Sequence, residues 1–534
     1  MARRWYTRRD FVRVLSASAA GTWLIGCQSP QRSERGPSAQ TPPAPDDDLP
    51  VGNDWDTLSE VALLRIRRAG CEYGDIRIIE SGVQSIRGQD RRIAAISDRR
   101  SSGLGVRVLC NGAWGFAASA VTTAAEARHV ADLAIEVARG SALLSTERIR
   151  LAEEPVSRAE YATAYEIDPF NVPLAERTRL LLDLMERVQG VPGIARSSAS
   201  LWAARDVKYF ASTEGTRLRL NLLAVHGGFS ATALADGRFA SRSFSVPYLR
   251  TGYEHVRDGG LLESAQRIAE EAVEKVSAPA VEPGRYDLLL DPQHLSLTIH
   301  ESCGHATELD RALGHEANYA GTSFLTPEKL NTFRYGSRHV TLIADNTEEG
   351  TLAATGFDDE GVAGQQWPIV EEGRFVGFST SREFAAAAGE SRSRGSCRAD
   401  SWSSIPIVRI PNIGLAPGNG RLDDMIADIR RGILIEGHGS FSIDQKRYNF
   451  QFGGDAFWLI EHGRRSHMLR DVIYTDITPE FWNRCDAVAD ASHRQRWGFI
   501  NCGKGQPGQS GWMSHPAAHA RFRDVAVIRG STAG

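Results

Sequence analysis

The chain has 534 residues, which is too long for one ordinary hydrophobic core and predicts two to four domains. Hydrophobic residues make up 42% and charged residues 24%, as in globular proteins, and the net charge of −4 gives no electrostatic reason to expect a nucleic-acid partner. No run approaches about 18 uninterrupted apolar residues, so we expect no membrane-spanning helix.

The N-terminus resembles an export signal. Thr7-Arg8-Arg9-Asp10-Phe11 fits the twin-arginine pattern, and a modest apolar run follows it. The run ends at Leu24-Ile25-Gly26-Cys27, which resembles a lipoprotein box, where the chain is cut before Cys27 and the thiol takes a lipid. We therefore expect a twin-arginine and lipoprotein signal over 1–27 and a disordered linker over 28–54. The mature protein is expected in the periplasm or cell envelope, lipid-anchored to a membrane.

The cysteines form no recognisable framework. Seven occur, none of them in a CxxC pair: Cys27, Cys71, Cys110, Cys303, Cys397, Cys485 and Cys502. We therefore expect no essential disulfide, although an oxidising compartment would permit one.

Apolar periodicity predicts mixed helices and strands in the first part of the mature chain. Amphipathic helices are predicted over 57–68, 123–139, 174–188 and 260–276. Strands are predicted over 75–80, 92–97, 105–110, 199–206, 207–212 and 217–230. Asn111-Gly112 predicts a hairpin turn. We expect an N-terminal α+β domain over 55–145 and a middle α+β domain over 150–280.

The last predicted domain, residues 284–530, consists mostly of short strands separated by glycine-bearing turns. A strand over 285–290 is followed by Asp291-Pro292, a helix start with an N-cap carboxylate and a proline at the first helical position. The predicted fold class is therefore α+β, with N-terminal α+β domains and a mostly antiparallel β C-terminal domain that carries this one helix.

The helix leads into His300-Glu301-Ser302-Cys303-Gly304-His305, which places two imidazoles and a carboxylate within six residues. This pattern is one residue longer than the zinc-protease motif HExxH. Residues five apart point roughly 140° apart around a regular α-helix. A shared metal therefore requires a wider, π-type turn, and we predict one near Gly304 that makes this a metal-binding helix. The alternative is a regular helix with two unrelated histidines.

A third ligand is needed, because a catalytic zinc usually takes three protein groups and one water. Glu308 is close in sequence, but it also suits the role of a partner that hydrogen-bonds a ligand histidine. Cys502, in Asn501-Cys502-Gly503-Lys504-Gly505, is more distinctive, since Lys504 would favour its thiolate and the glycines permit close approach. An ordinary buried thiol is the alternative for Cys502.

These motifs resemble those of the TldD/PmbA family of metalloproteases. Residues 300–310 resemble the family's HExxxH signature, and residues 501–505 resemble its C-terminal ligand motif. Shorter matches follow the family order at 103–108, 112–116, 358–361, 409–412 and 432–436. The resemblance is to the metal-binding TldD branch, since the PmbA branch lacks the metal motif.

The resemblance implies one Zn²⁺ per chain held by His300, His305 and Cys502, with Glu301 as base. It also implies a dimer that encloses a peptide-sized cavity. The partner would be a second copy of the chain or a PmbA-type paralogue without the metal motif.

The predicted activity is zinc-dependent hydrolysis of peptides or unfolded protein segments, with the metal-bound water activated by Glu301. We expect an extended substrate, bound by strand addition to a sheet edge. Glu308 and Lys504 are candidates to support the metal ligands. The candidates to line the cavity, for which turn or surface roles are the alternative, are His438, Arg409 and Asp358. The histidines near the motif that we expect to be bystanders are His294 and His315.

The sequence leaves two other functions open. The first is an envelope binding or assembly lipoprotein with a structural metal, against which Glu301 argues because a structural site needs no base. The second is a zinc amidase that acts on cell-wall peptides, which the predicted location would suit.

Overall fold

A seven-stranded sheet forms the first half of the structure, a computed structural model that describes residues 52–530. The strand order is β3-β2-β1-β5-β6-β4, and β7 pairs with β6. All pairs are antiparallel except β4 with β6. The strands are β1 (Tyr73–Gln89), β2 (Arg92–Cys110), β3 (Ala113–Ser119), β4 (Arg158–Ala162), β5 (Ile194–Ser212), β6 (Arg217–Ala235) and β7 (Arg238–Leu249).

The predicted signal over 1–27, with the lipidation residue Cys27, lies outside the described residues, as does most of the linker over 28–54. Within residues 52–530, no helix is both long enough and apolar enough to cross a membrane.

Helices pack on this sheet through the apolar faces that their sequences predict. The first, α1, begins after Asp54, whose Oδ1 accepts from the N–H of Thr57 at 3.0 Å, and α2 begins after the N-cap Thr123. The helices of this half are α1 (Trp55–Arg68), α2 (Ala124–Ala142), α3 (Leu174–Gln189), α4 (Glu254–Arg257) and α5 (Leu261–Ser277). One core cluster includes α1 and α2, and a second includes α3 and α5.

Strand pairing explains where these elements differ from the predicted ones. The segments predicted at 92–97 and 105–110 belong to one strand, β2, because its pairing with β1 continues through exposed polar residues. The predicted turn at Asn111 and Gly112 is confirmed, with φ of 56° and 79°. Strands β1 and β5 pair over their length, so the predicted N-terminal and middle domains contribute to one sheet, and the boundary between them stays a prediction.

A disulfide, which the cysteine spacing did not lead us to expect, joins the open end of the β1–β2 hairpin. It links Cys71, just before β1, to Cys110, at the end of β2. The other cysteines of the described part are buried and free: Cys303, Cys397, Cys485 and Cys502.

The second half is built around a nine-stranded sheet of order β16-β17-β20-β24-β8-β15-β18-β19, with β21 paired to β24. Strands β8 and β15 are parallel, and the other pairs are antiparallel, as predicted. The strands are β8 (Gly284–Leu290), β15 (Arg431–Glu436), β16 (Phe441–Ile443), β17 (Asn449–Phe452), β18 (Ala456–Glu461), β19 (Arg464–Leu469), β20 (Val472–Ile477), β21 (Cys485–Val488) and β24 (Ala520–Arg529).

Three smaller sheets complete this half, with orders β11-β10-β9-β14, β12-β13 and β22-β23. Their strands are β9 (Leu342–Asp345), β10 (Gln366–Glu371), β11 (Arg374–Phe375), β12 (Cys397–Arg398), β13 (Ile407–Val408), β14 (Ile413–Leu415), β22 (Gly498–Lys504) and β23 (Gln509–Ser514). The α-helices are α6 (Pro292–Ile299), α7 (Leu309–Ala312), α8 (Leu422–Ala427) and α9 (Thr478–Asn483). The α+β class with a β-rich C-terminal part is therefore confirmed.

Candidate metal centre

The helix α6 follows directly from β8, a central strand of the nine-stranded sheet. The preceding strand, β8, lies between β24 and β15, and its last residues, Leu288 to Leu290, are fully buried. The Asp291 Oδ1 then accepts from the N–H of His294 at 2.6 Å and from that of Gly437 at 3.2 Å. An N-cap carboxylate and Pro292 thus start the helix as predicted, directly from a buried strand.

The predicted non-α turn is confirmed. Residues His300–Gly304 form a π-helical turn in which the N–H of His305 donates to the carbonyl of His300, five residues earlier. The extra residue keeps both rings on one side, with ring centroids 4.9 Å apart. Gly304 itself has an ordinary helical φ of −52°. Its Cβ would lie 2.9 Å from Cγ2 of Ile410, so this position is glycine for lack of space.

Cys502 reaches the two histidines from the β22–β23 hairpin. One ligand atom each from His300, His305 and Cys502 lies within 4.8 Å of the others. The Cys502 Sγ is 3.4 Å from Nε2 of His305. Arg409 holds this hairpin from below, donating through Nη2 to the Cys502 carbonyl and through Nη1 to the Gln509 carbonyl. The structure therefore brings together the three residues predicted as ligands.

The ring of His300 is oriented by His515, a residue that the sequence analysis missed. Nδ1 of His515 lies 3.0 Å from the carbonyl oxygen of Ile413, which only accepts, so this nitrogen carries the proton. Nε2 of His515 is then an acceptor, 2.9 Å from Nδ1 of His300. His300 therefore donates through Nδ1, and its Nε2 is left with a lone pair for a metal.

The ring of His305 is oriented by Glu308. The carboxylate Oε2 is 2.9 Å from Nδ1 of His305, and its Oε1 accepts from Lys504 Nζ at 3.1 Å. Burial raises the pKa of Glu308, but Lys504 and His305 outweigh it and hold the pKa well below its usual value. A charged Glu308 therefore accepts from Nδ1–H, which leaves Nε2 of His305 to ligate.

Lys504 is fully buried and saturated by acceptors. Besides Glu308, it donates to both carboxylate oxygens of Asp310, at 2.7 and 2.8 Å, and to the carbonyl of Val408 at 2.7 Å. The ammonium group of Lys504 is thus bonded to carboxylates. We predicted that Lys504 would favour the thiolate of Cys502, but other groups lower the pKa of this thiol. Burial raises the pKa of Cys502, but His305 and Arg409 outweigh it and hold the pKa below its usual value.

Glu301 lies beside the three ligands and is only 6% exposed. Its Oε2 accepts from Nη1 of Arg447 at 2.5 Å. Arg447 sits in the turn between β16 and β17, with a left-handed φ of 64°. The sequence contains no periodic signal that would connect this arginine to Glu301, 146 residues away.

The two remaining residues predicted to line the cavity, His438 and Asp358, have different surroundings. His438 is close to the centre, because Phe499 stacks between it and His300, with centroid distances of 5.0 and 4.8 Å. Its Nε2 is 2.9 Å from the Ser296 hydroxyl. Asp358 instead caps a buried turn, accepting from the N–H groups of Glu360, Val362 and Cys397.

The two predicted bystanders are placed apart from the ligands. His294 is buried, and its two ring nitrogens are bonded to the Gly437 carbonyl and the Tyr474 hydroxyl. His315 packs edge-on against Phe384 with ring centroids 4.8 Å apart.

Two family models match the chain. The PmbA/TldA metallopeptidase C-terminal domain matches residues 283–527, and the PmbA/TldA metallopeptidase domain 1 matches residues 74–138. The first match contains all three predicted ligands and Glu301. Together the two matches span more than half of the 534 residues.

Curated metalloproteases align with the chain, some of them over most of its length. A metalloprotease of Methanocaldococcus jannaschii is 28% identical over 422 residues, which are 78% of this chain and 89% of the relative. A metalloprotease of Methanothermobacter thermautotrophicus is 28% identical over 459 residues, or 85% of this chain and 95% of the relative. A zinc metalloprotease TldD homologue of Saccharolobus solfataricus is 25% identical over 248 residues, or 46% of this chain and 52% of the relative.

Solved structures share the fold at low sequence identity. A Thermotoga maritima protein, described as a proposed modulator of a DNA gyrase, has a TM-score of 0.72 at 16% identity, with 89% of this chain and 100% of that chain covered. TldE from Thermococcus kodakarensis has a TM-score of 0.66 at 16% identity, with 88% and 100% covered. The two family models, the curated metalloproteases and the common fold agree, and the chain belongs to the TldD/PmbA family of metalloproteases.

Proposed function

We propose that the chain is a zinc peptidase of the HExxxH type that hydrolyses peptides or unfolded protein segments. His300, His305 and Cys502 are the proposed ligands of one zinc ion per chain, and Glu301 is the proposed general base. The observation that carries this proposal is the convergence of the three ligand atoms within 4.8 Å, next to a buried carboxylate. The relative in Saccharolobus solfataricus that is named a zinc metalloprotease supports the choice of metal.

The donor set fits zinc. Two imidazole nitrogens and one thiolate are ligands that zinc takes in tetrahedral sites, and three protein ligands leave one position open, as catalytic sites require. Each ligand imidazole has its Nδ1 engaged, by His515 or by Glu308, so that Nε2 is the nitrogen left to coordinate. Burial lowers the pKa of His300 to about 4, which keeps this ring in its neutral, ligating form at neutral pH.

In the proposed reaction, Glu301 and Arg447 have separate roles beside the metal. Zinc, when bound, supplies a Lewis acid that polarises the peptide carbonyl and makes water a stronger acid. Glu301 accepts the proton of the attacking water and delivers it to the leaving amine. Arg447 holds Oε2 of Glu301 and leaves Oε1 for the proton transfer. The burial of Glu301 strengthens these charge interactions, because few solvent molecules screen them.

A Glu301→Gln variant tests the role of the base. We expect it to bind zinc as the wild type does and to lose about 10²–10⁴-fold in kcat on a denatured protein substrate. Glu461→Gln, which changes an exposed glutamate at the end of β18, is the matched control and should remain active. If Glu301→Gln cleaves the substrate as fast as zinc-loaded wild type, the peptidase proposal fails.

Metal analysis of ligand variants tests the centre itself. We expect about one zinc per chain in the wild type and a loss of zinc in His305→Ala and Cys502→Ser. A full zinc content in Cys502→Ser would remove Cys502 from the ligand set. Hydrolysis of cell-wall peptides alone, with no cleavage of denatured proteins or unrelated peptides, would favour the amidase.

We also propose that the protein is exported by the twin-arginine route, lipid-anchored through Cys27 in the periplasm or cell envelope, and active as a dimer. The support for the anchor is the motif Leu24-Ile25-Gly26-Cys27 after the twin arginines. The support for pairing is the fold that the chain shares with TldE, which makes a paralogue without the metal motif one candidate partner and a second copy the other.

Fractionation and native purification test these last points. We expect Cys27→Ser to move the protein from the membrane fraction to the aqueous fraction. Mass measurement of the detergent-extracted native protein should give a dimer, and peptide mapping should show whether it contains one chain or two. A monomer with full activity would contradict the pairing.

A further inference from the structure

A cavity of about 170 Å³ lies beside the hairpin that carries Cys502. Ser510, Gly511 and Trp512 of β23 form one wall, and Gly511 is the residue paired with Cys502 in β22. Ser510 is exposed, so solvent reaches the cavity from this side. The volume is below the range of about 300–1,000 Å³ typical for whole small-molecule ligands, so the cavity suits one group of a larger ligand.

Three arginines line the cavity: Arg250, Arg398 and Arg409. In the described part of the chain, their hydrogen bonds all go to backbone carbonyls. Within residues 52–530, none of the three forms an ion pair. Each also has one buried nitrogen that finds no hydrogen-bond partner among the described residues: Nη1 of Arg250, Nε of Arg398 and Nε of Arg409. Arg250 is 93% buried and Arg409 is 99% buried, being 7% and 1% exposed.

Unpaired buried cations are unfavourable, because a charge moved out of water needs a partner to offset its lost hydration. Burial lowers the pKa of Arg250, and burial together with Arg409 lowers the pKa of Arg398 to about 10. Both shifts have the direction expected for guanidinium groups that lack a counter-ion. The arrangement therefore has an energetic cost that a bound anion would offset.

The other charged groups of the cavity limit the charge of that anion. Lys208 also lines the cavity, but it pairs at 3.5 Å with Asp359, which lies outside the lining. Two carboxylates line the cavity: Asp206, which accepts from the Ser81 hydroxyl, and Asp400, which accepts from the Ser510 N–H. With Lys208 offset by Asp359, three arginines against two carboxylates leave one positive charge, which matches a monoanion. A carboxylate suits the N–H donors that the three guanidinium groups retain, since it accepts up to about four hydrogen bonds.

We propose that the cavity formed by Arg250, Arg398 and Arg409 is a binding site for a carboxylate group. Resting on the proposed peptidase function, the carboxylate belongs to the peptide substrate, as its C-terminal carboxylate or as an acidic side chain. Arg409 connects the two sites, because the same guanidinium lines the cavity and donates to the carbonyl of Cys502. The site would then bind this carboxylate and align the substrate with the hairpin.

The binding step is tested on zinc-free protein, so that its outcome does not depend on activity. The probe is N-acetylglycine, titrated by calorimetry, with N-acetylglycinamide as the uncharged analogue. We expect the acid to bind and the amide not to bind. In Arg398→Gln we expect the affinity for the acid to fall by about tenfold or more. Arg421→Gln, which makes the same substitution at an exposed arginine outside the cavity, is the matched control. Tighter binding of inorganic phosphate than of N-acetylglycine, or binding unchanged in Arg398→Gln, would overturn the proposal.

A second variant guards against misfolding. Because Arg250 forms no ion pair with any residue that the structure describes, Arg250→Met should fold with a midpoint of denaturation at or above that of the wild type while losing N-acetylglycine binding. If the folded variant no longer binds N-acetylglycine, the loss reflects anion recognition and not misfolding. Retention of the anion in folded Arg250→Met and folded Arg398→Gln together would overturn the assignment.

Substrate pairs then identify the source of the carboxylate. Peptides of one sequence are compared as the C-terminal acid and the C-terminal amide, and an internal Asp is compared with Asn. We expect one pair to differ by about tenfold or more in KM in the wild type, and the difference to vanish in Arg398→Gln. Equal KM values within both pairs would overturn the link to substrate, whereas absence of all hydrolysis would reject the peptidase proposal and leave the calorimetric result standing.

Discussion

His515 decides which nitrogen of His300 is free to bind a metal. The two rings are joined by a hydrogen bond of 2.9 Å between Nε2 of His515 and Nδ1 of His300. The proton must belong to His300, because the carbonyl of Ile413 holds the proton of His515 on its other nitrogen. A backbone carbonyl thus sets the tautomers of two consecutive histidines and presents a lone pair at the candidate centre.

We expect His515→Ala to reduce zinc affinity about 10–100-fold, because ligand histidines that lose an outer hydrogen-bond partner bind metal less tightly. His515→Gln should recover part of the affinity, since its amide oxygen also accepts a hydrogen bond. The measurement is competition with a chromogenic chelator. His467→Ala, at an exposed position of β19, should behave as wild type. An unchanged affinity in His515→Ala would show that His300 needs no such partner.

The second prediction concerns Lys504, which is bonded to Glu308 and Asp310 with no exposure to solvent. Lys504→Met leaves the buried Asp310 without its cation and leaves Glu308 with Arg311, whose Nε lies 3.3 Å from Oε2. We expect the free energy of unfolding to fall by about 3–5 kcal/mol. Urea denaturation of the zinc-free protein measures the loss. Lys446→Met, at an exposed position, should change the free energy by less than about 0.5 kcal/mol. Similar midpoints for both variants would mean that the buried lysine contributes little.

The third prediction concerns the close approach of Gly304 to Ile410. A Cβ at Gly304 would lie 2.9 Å from Cγ2 and 3.0 Å from Cδ1 of Ile410. We therefore expect Gly304→Ala to destabilise the fold by about 1–3 kcal/mol and to weaken zinc binding by displacing the turn. In an Ile410→Ala background the same substitution should cost clearly less. A double-mutant cycle of unfolding free energies and zinc affinities provides the test, and additive effects would rule out this steric explanation.

The fourth prediction is a loss of stability on acidification through His294. Burial lowers the pKa of His294 to about 4, whereas the unfolded residue titrates near 6.5. Below pH 6.5 the unfolded chain therefore takes up a proton that the folded chain refuses. The contribution of this residue is fully present above pH 6.5 and is lost as the pH falls to about 4.

Between these values His294 contributes a slope of about 1.4 kcal/mol per pH unit. We expect His294→Gln to be less stable at pH 7.5 and to lose less stability than the wild type between pH 6.5 and 5. Urea denaturation of both zinc-free proteins across this pH range measures how the free energy of unfolding of each changes with pH. Parallel pH profiles of the two proteins would assign the acid sensitivity to other buried groups.

Local signals in the sequence were sufficient for the elements that present the ligands. Asp291 and Pro292 predict the helix start, and the five-residue spacing of His300 and His305 predicts the π-type turn, because each depends on chain geometry over a few residues. Cys502 could be proposed from its glycine-rich neighbourhood and the family resemblance. These signals all concern residues that are neighbours in the chain.

Residues that act through tertiary contacts were not predictable in this way. His515, Arg447 and Phe499 lie 215, 146 and 199 positions from their partners His300, Glu301 and His300. No spacing rule links such pairs. The full length of β2 was missed for a related reason, since its exposed middle section is held by backbone pairing with β1 and carries no apolar pattern.

Glu308 and Lys504 give the candidate centre one further property. They lie 196 residues apart, one following the ligand-bearing turn and the other following Cys502, and their contact joins the two halves of the centre through protein groups alone. We therefore expect the coordination pocket to be assembled by folding, without the need for an ion. A chelator should remove zinc and leave a folded protein that takes the metal back quickly, in contrast to small zinc domains that fold only around their metal.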